Sequence, residues 1–279
     1  MSEYSRKMVE VTSTNLHREQ DVGKQPVLDV RNLGIDFGGL TAVDGFNMTI
    51  GPTEISGLIG PNGAGKTTIF NLLTSVYQPT RGSILVKGVN TKGMTTAKVN
   101  RLGVARTFQN IRLFNDMTVL DNVKVGMHNS IKCGFLSSLL RLPPYFKAEK
   151  AANKKAMELL SIFDMQDLAD VKAGSLPYGA QRRLEIVRAL ASDPAIILLD
   201  EPAAGMNPSE TEELMHQIRR IRDTFQIAIF LIEHDMNLVM NVCEGIVVVN
   251  YGRIIAKGTP EQIKANPAVI EAYLGRKDG

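Results

Sequence analysis

The sequence predicts an α/β fold, and three observations carry that prediction. Apolar runs of strand length alternate with helically patterned segments along most of the chain. A glycine-rich loop, Gly60-Pro-Asn-Gly-Ala-Gly-Lys66-Thr67-Thr68, joins the apolar run Ile55–Ile59 to a helical stretch at Thr67–Thr74. A second apolar run, Ala195–Leu199, ends in the acidic pair Asp200-Glu201 followed by Pro202. With 279 residues, 44% hydrophobic and 22% charged, the chain can bury a full globular core.

The glycine loop fits G-x-x-x-x-G-K-[ST], the phosphate-cradling P-loop, and has the strand–loop–helix context that this motif requires. Gly60, Gly63 and Gly65 let backbone N–H groups approach phosphate oxygens, with Pro61, Asn62 and Ala64 filling the loop. The start of the helix adds its partial positive charge. Lys66 reaches the β- and γ-phosphates, Thr67 holds Mg²⁺, and Thr68 completes the motif. The expected ligands are a nucleoside triphosphate and Mg²⁺.

Asp200 at the end of its apolar strand is the Walker B arrangement, binding Mg²⁺ directly or through water. Glu201 is then expected to orient and polarise an attacking water. General-base assistance of that kind is worth ~10²–10⁴ in rate.

Composition excludes several classes. A net charge of +3 argues for neither nucleic acid nor an anionic membrane as partner. No apolar run approaches the ~20 residues of a spanning helix. The segment Met1–Gln25 is polar, mixed in charge and without an apolar stretch, so it is expected to be a disordered leader, not a secretory signal. Cys133 and Cys243 match no metal spacing, and His17, His128, His216 and His234 form no ligand cluster.

The remaining elements follow from patterning. Val27–Phe37 and Ala42–Ile50 alternate apolar and polar residues, and Arg81–Gly88 is a strand closed by a turn glycine. These predict a mainly antiparallel β-subdomain beside the nucleotide core. Val104–Phe108 is a brief strand. Thr118–Met127 has helical spacing, with Asp116 or Thr118 as N-cap. Cys133–Pro144 is loop-like. Ala148–Phe163 is an amphipathic helix with Ala152, Ala156, Leu159, Leu160 and Phe163 on one face. The block at about 91–190 therefore predicts an inserted helical subdomain. The core resumes at Ala195, with a helix at Ser209–Arg222, a strand at Ile227–Ile232 and a helix at Met236–Val242. Strands at Gly245–Asn250 and Arg253–Lys257 follow, then one or two short helices over Pro260–Leu274 and a tail at 275–279.

With both Walker elements and a helical insertion between them, residues 26–274 resemble an ATP-binding-cassette (ABC) ATPase, a P-loop NTPase fold. The resemblance implies that the nucleotide is ATP, and it implies roles for other residues. Phe37 matches the aromatic that stacks on adenine. Gln109, in Arg-Thr-Phe-Gln109, matches the glutamine that contacts Mg²⁺ and the water side. Leu176-Pro-Tyr-Gly-Ala-Gln181 stands where the family's signature Leu-Ser-Gly-Gly-Gln-Gln would be, making Tyr178, Gly179 and Gln181 nucleotide contacts. Ala204-Gly-Met-Asn207 stands at the dimer-contacting D-loop, and His234 matches the histidine that touches the γ-phosphate.

Two departures stand out. The signature serine, which in the family donates to the γ-phosphate held by the partner, is replaced by Pro177, which has no donor. The D-loop aspartate is Asn207. Losing one preorganised donor typically costs ~10²–10³ in turnover. The composite site using this chain's signature is expected to be slow, and the site using its own P-loop competent.

Tyr178-Gly-Ala-Gln181-Arg182-Arg183-Leu-Glu-Ile, Glu201 to Pro208, Ile232 to Met236, and Gly258-Thr-Pro-Glu with Tyr273-Leu-Gly are similar to an ATPase subunit of the bacterial high-affinity branched-chain amino acid importers. That resemblance implies a second ABC ATPase subunit in a heterodimer, two transmembrane permease subunits and, indirectly, a periplasmic binding protein. It also implies a peripheral location on the cytoplasmic face of the inner membrane. A urea or amide importer, or a lipopolysaccharide-type exporter, is the alternative.

Overall fold

The structure is a computed structural model that describes residues 15–16, 24–129 and 143–274. Most of the expected leader, His17, Cys133 and the tail 275–279 lie outside the described residues. So does the loop expected at Cys133–Pro144, except for its last two prolines. The chain forms two compact units, one up to Arg106 and from Ala195 onward, the other Thr107–Pro194.

The first unit holds two sheets. The five-stranded sheet has the order β1-β3-β2-β5-β6, from β1 (Asn15–Leu16), β2 (Leu28–Phe37), β3 (Leu40–Ile50), β5 (Arg81–Val86) and β6 (Val89–Asn90). It is antiparallel except for β1, which lies parallel to Thr49–Ile50. That short strand falls within the segment expected to be without structure. It pairs with the edge of β3, where N–H and C=O groups are otherwise open to another strand.

The six-stranded sheet has the order β11-β10-β4-β9-β8-β7. Its strands are β4 (Ile55–Ile59), β7 (Val104–Arg106), β8 (Ile196–Asp200), β9 (Ala228–Ile232), β10 (Gly245–Asn250) and β11 (Arg253–Gly258). All pairs are parallel except β10 with β11. Every residue of β4, β8 and β9 is buried, as expected of parallel strands covered on both faces. This explains their unbroken apolar runs. Helix α1 (Lys66–Leu73) buries Ile69, Phe70, Leu72 and Leu73, with Phe70 5.1 Å from Phe230 of β9.

The sequence patterning carried no helix at α2 (Thr96–Leu102), which buries only Val99 and so lacks an amphipathic stripe. Its start is nonetheless marked, because the Thr95 side chain accepts from the Lys98 N–H. Val99 and Val104 join the core of the first unit, so residues 91–106 belong there. The helical unit begins at Thr107, not near 91.

Within the second unit, α3 (Val119–Gly126) is capped by Thr118, which accepts from the Asp121 N–H at 3.0 Å. Helix α4 covers Pro143–Ile162. Pro143 and Pro144, expected to end a loop, open this helix instead; the first turn has no use for the missing N–H groups. The predicted face Ala152, Ala156, Leu159, Leu160 and Phe163 is buried. Helix α5 (Tyr178–Leu190) packs with α3. The first unit closes with α6 (Pro208–Phe225), α7 (Met236–Val242), α8 (Pro260–Lys264) and α9 (Pro267–Leu274).

Candidate functional site

The first unit carries a cavity of about 450 Å³ at the ends of its parallel strands. Residues 62–68 of the glycine loop line it, together with Glu201, His234, Leu40–Ala42, Tyr251 and Gly252. Open α/β sheets bind ligands at strand carboxyl ends, and β4 and β8 deliver the loop and the acidic pair there.

The loop's shape follows from its glycines. A Cβ on Gly60 would lie 2.1 Å from the Val249 carbonyl oxygen of β10, so no larger residue fits. Gly65 is the N-cap of α1 with φ 98, a left-handed conformation, and it offers no side chain to the helix's first N–H groups. Those N–H groups are thereby available to an anion. Lys66 is buried, and its Nζ donates to the carbonyls of Gly60 at 2.7 Å and Pro61 at 2.9 Å. Burial lowers its pKa, opposed by the charges of Glu201 and Asp200. Thr67 is exposed and Thr68 half-buried at the cavity wall.

Asp200 ends β8 almost fully buried, with Oδ2 accepting from Arg106 Nη2 at 2.6 Å. Arg106 also donates to Asn71 Oδ1 at 2.7 Å and lies 5.5 Å over the Phe70 ring. Glu201 follows at φ 47, uncommon for a residue with a side chain and worth a functional explanation. Its Oε1 lies 2.8 Å from His234 Nε2. Its N–H donates to the Ile232 carbonyl at 2.9 Å, continuing the β8–β9 ladder past Asp200. Two groups from separate chain segments, Glu201 and His234, are thus brought into direct contact.

Phe37 is not among the lining residues. It ends β2, 43% exposed, edge-on to Tyr77 at 5.3 Å. Tyr251, which sequence reasoning passed over, lines the cavity at 87% exposure from the β10–β11 turn. Only its aromatic type beside a turn glycine signalled it.

The other expected site residues lie in the second unit. Gln109 is exposed in the loop after Thr107. Arg182, wholly buried on α5, donates to the carbonyls of Phe108 at 2.5 Å and Gln109 at 2.8 Å. It also pairs with the equally buried Glu185 at 3.0 Å. Glu185 Oε1 in turn accepts from the N–H groups of Phe108 and Arg112, at 3.4 and 3.3 Å. One buried ion pair therefore holds the backbone on both sides of Gln109. No sequence pattern had flagged it, because a charged residue on a helix reads as a solvated face until its partners are known. Pro177 is the N-cap of α5, Tyr178 is exposed, Gly179 is half-buried, and the Gln181 side chain donates to the Leu176 carbonyl at 2.8 Å. Asn207 has a structural role: it caps α6 in a reciprocal box with Glu210, at 3.0 and 2.9 Å.

Chemically, the cavity offers N–H groups of the glycine loop and a cation at Lys66. It also offers a hydroxyl at Thr67 and the Glu201–His234 carboxylate–imidazole pair, whereas Asp200 is not among the lining residues and its carboxylate is engaged by Arg106. The hydroxyl and carboxylate suit a hard, oxygen-seeking cation. Among the described residues no cluster of three or more His, Cys, Asp or Glu could hold a metal ion.

Comparison with known proteins agrees with this geometry. A family model described as ABC transporter matches residues 43–204, and one described as branched-chain amino acid ATP-binding cassette transporter matches 253–279. The chain is 49% identical over 251 residues to the high-affinity branched-chain amino acid transport ATP-binding protein LivG of Escherichia coli K12, covering 90% of this chain and 98% of that protein. It is 47% identical over the same shares to BraF of Pseudomonas aeruginosa, which bears the same description. Among solved structures it is similar to a nucleotide-free ATP-binding cassette of an ABC transporter, with TM-score 0.77 and 30% identity over 90% of this chain and 100% of that one. A cassette in its ADP conformation gives TM-score 0.78 at 29% identity, over 90% and 99%. This chain belongs to the ABC transporter family and is one of its ATP-binding, ATP-hydrolysing subunits.

Proposed function

We propose that this chain energises the import of the branched-chain amino acids leucine, isoleucine and valine. The observation that carries the reading is its 49% identity, across 90% of its length, to a protein described as serving that transport. The match of residues 253–279 to a branched-chain cassette model supports the same solute class.

In this reading ATP enters the cavity of the first unit. N–H groups of Gly63 to Thr68 and Lys66 hold its phosphates, and the lysine exchanges the Gly60 and Pro61 carbonyls for phosphate oxygens. Thr67, Asp200 and Gln109 would hold Mg²⁺, which when bound neutralises charge on the β- and γ-phosphates. Glu201 accepts a proton from the attacking water while His234 steadies the γ-phosphate side. Phe37 stacks on the base. Tyr178, Gly179 and Gln181 meet the nucleotide held by a second ABC ATPase, so that the pair is a heterodimer. Closure of that pair drives two permease subunits, which receive solute from a periplasmic binding protein, and the chain sits on the cytoplasmic face of the inner membrane. The residue types support each role; chemistry is positioning plus electrostatics.

The test is uptake by proteoliposomes holding the permeases, both ATPases and the binding protein. Labelled leucine, isoleucine and valine should enter only with ATP inside. Uptake of urea or short amides in their place would overturn the solute assignment and leave the ATPase standing.

A further inference from the structure

Glu233, between β9 and His234, has no part in the chemistry above, yet this charged residue is only 3% exposed. A buried carboxylate is costly unless its oxygens are hydrogen-bonded. Here they are. Oε1 accepts from the Ala203 N–H at 2.7 Å, and Oε2 accepts from the N–H groups of His234 at 3.0 Å and Asp235 at 3.4 Å. Ala203 lies two residues beyond Glu201. The two oxygens of one side chain therefore grip the two loops that carry Glu201 and His234, and those side chains meet at 2.8 Å.

We propose that Glu233 is a positioning residue for hydrolysis: its carboxylate brackets the Ala203 and His234 backbones and so sets the Glu201–His234 contact.

Three further features make a bracket of this kind necessary. Glu201 sits at φ 47, and the surrounding structure must hold it there. Beyond the Glu201 N–H bond to Ile232 the β8–β9 ladder has ended. His234 itself is 43% exposed, so packing alone does not fix its ring. Serine or threonine at position 233 would offer one short acceptor, whereas a carboxylate spans both loops with separate oxygens. Burial raises the Glu233 pKa, countered by the three N–H groups and reinforced by the charge of Glu201.

The inference rests on Glu201 and His234 acting in hydrolysis, and the experiment keeps the two apart. Full-length Glu233→Ala, Glu233→Gln, His234→Ala, Glu201→Gln and the double variant Glu233→Ala/His234→Ala are assembled with the transporter. Each is assayed for ATP affinity, kcat and KM, with single-turnover rates where steady-state turnover is low. Glu233→Gln keeps the shape and one acceptor, so it should fold if Glu233→Ala does not. Expected are ATP affinity within about 2-fold of wild type and kcat lower by ~10–10²-fold in Glu233→Ala, with a smaller loss in Glu233→Gln. The double variant should be no slower than His234→Ala, because Glu233 acts through the Glu201–His234 contact, which His234→Ala already removes. Wild-type kcat in both Glu233 variants, or multiplicative losses in the double variant, would overturn the proposal. Wild-type kcat in His234→Ala and Glu201→Gln would instead overturn the underlying site assignment.

Discussion

The P-loop region and the signature region of this chain are built by different means. Around the cavity of the first unit, functional groups project from the ends of buried parallel strands. Hydrogen bonds to the backbone set their geometry: Lys66 and the Glu201 N–H donate to carbonyls, and the Glu233 carboxylate accepts from the Ala203 N–H. In the second unit the residues proposed to meet a nucleotide sit at the exposed start of α5. What is buried is a support, the Arg182–Glu185 pair that grips the backbone around Gln109. The first region has every residue type that the proposed chemistry needs. The second lacks a hydroxyl where Pro177 caps the helix and carries an exposed Tyr178. One chain thus offers a complete P-loop side and an altered signature side, and only a complementary partner would use both well.

The largest effect should come from Glu201→Gln, which keeps shape but cannot accept a proton. ATP binding should persist while turnover in the assembled transporter falls by ~10²–10⁴. Lys66→Ala should instead weaken nucleotide binding itself, because it removes the cation from the phosphate cradle. Near-normal ATPase activity in Glu201→Gln would remove the claim that the P-loop side is complete.

The signature side is probed by Arg182→Met. Removing one partner of a buried ion pair leaves Glu185 uncompensated and costs about 3–5 kcal/mol. Thermal denaturation should show the second unit destabilised, with ATP affinity of the first unit retained. Arg182→Met combined with Glu185→Leu should recover much of that stability while leaving the Phe108 and Gln109 carbonyls without their donor. A double variant with both full stability and full transport would show that the clamp has no functional part.

A smaller effect is expected at the loop beyond Gln109. Ile111, Leu113 and Met117 are half-buried and Phe114 is 49% exposed, with Arg188 5.8 Å over its ring. Buried Asn122 fixes this segment, accepting from the Phe114 N–H at 3.0 Å and donating to its carbonyl at 3.1 Å. An apolar side chain held out on a braced loop suits a helix-in-groove contact, such as one with a permease. Phe114→Ala or Leu113→Ala should weaken permease co-purification by about 1–3 kcal/mol, with ATP binding unchanged. Normal assembly and uptake in both would place docking elsewhere.

The two regions also differ in how far their sequences could be read. The P-loop side was legible because its elements are uninterrupted. β4 and α7 fall at their predicted bounds, and β8 is displaced by one residue. Motif spacing identified the lysine and the acidic pair, and the structure brings Glu201 to His234 across a break of more than thirty residues. What stayed hidden was the bracing. Arg106, Glu233, Arg182 and Glu185 are charged residues whose burial depends on partners distant in sequence, and no local period reports that. Helix α5 was read as a motif and not as a helix, although Arg182, Glu185 and Leu184 all turn inward. Asn207, read as a departure from a family pattern, proved to be an N-cap, which Pro208 and Glu210 already spelled out locally.

The most direct test of the difference between the two sides is ATP hydrolysis by the assembly with the proposed second ATPase subunit, with one catalytic glutamate disabled at a time. Glu201→Gln silences the site built on this chain's P-loop and the second subunit's signature. The matching change in the second subunit silences the site that depends on Pro177 and Tyr178. Turnover should fall much further with Glu201→Gln than with the partner's substitution, because the Pro177 site is proposed to be slow already for want of a donor. Equal losses from the two substitutions would contradict the account.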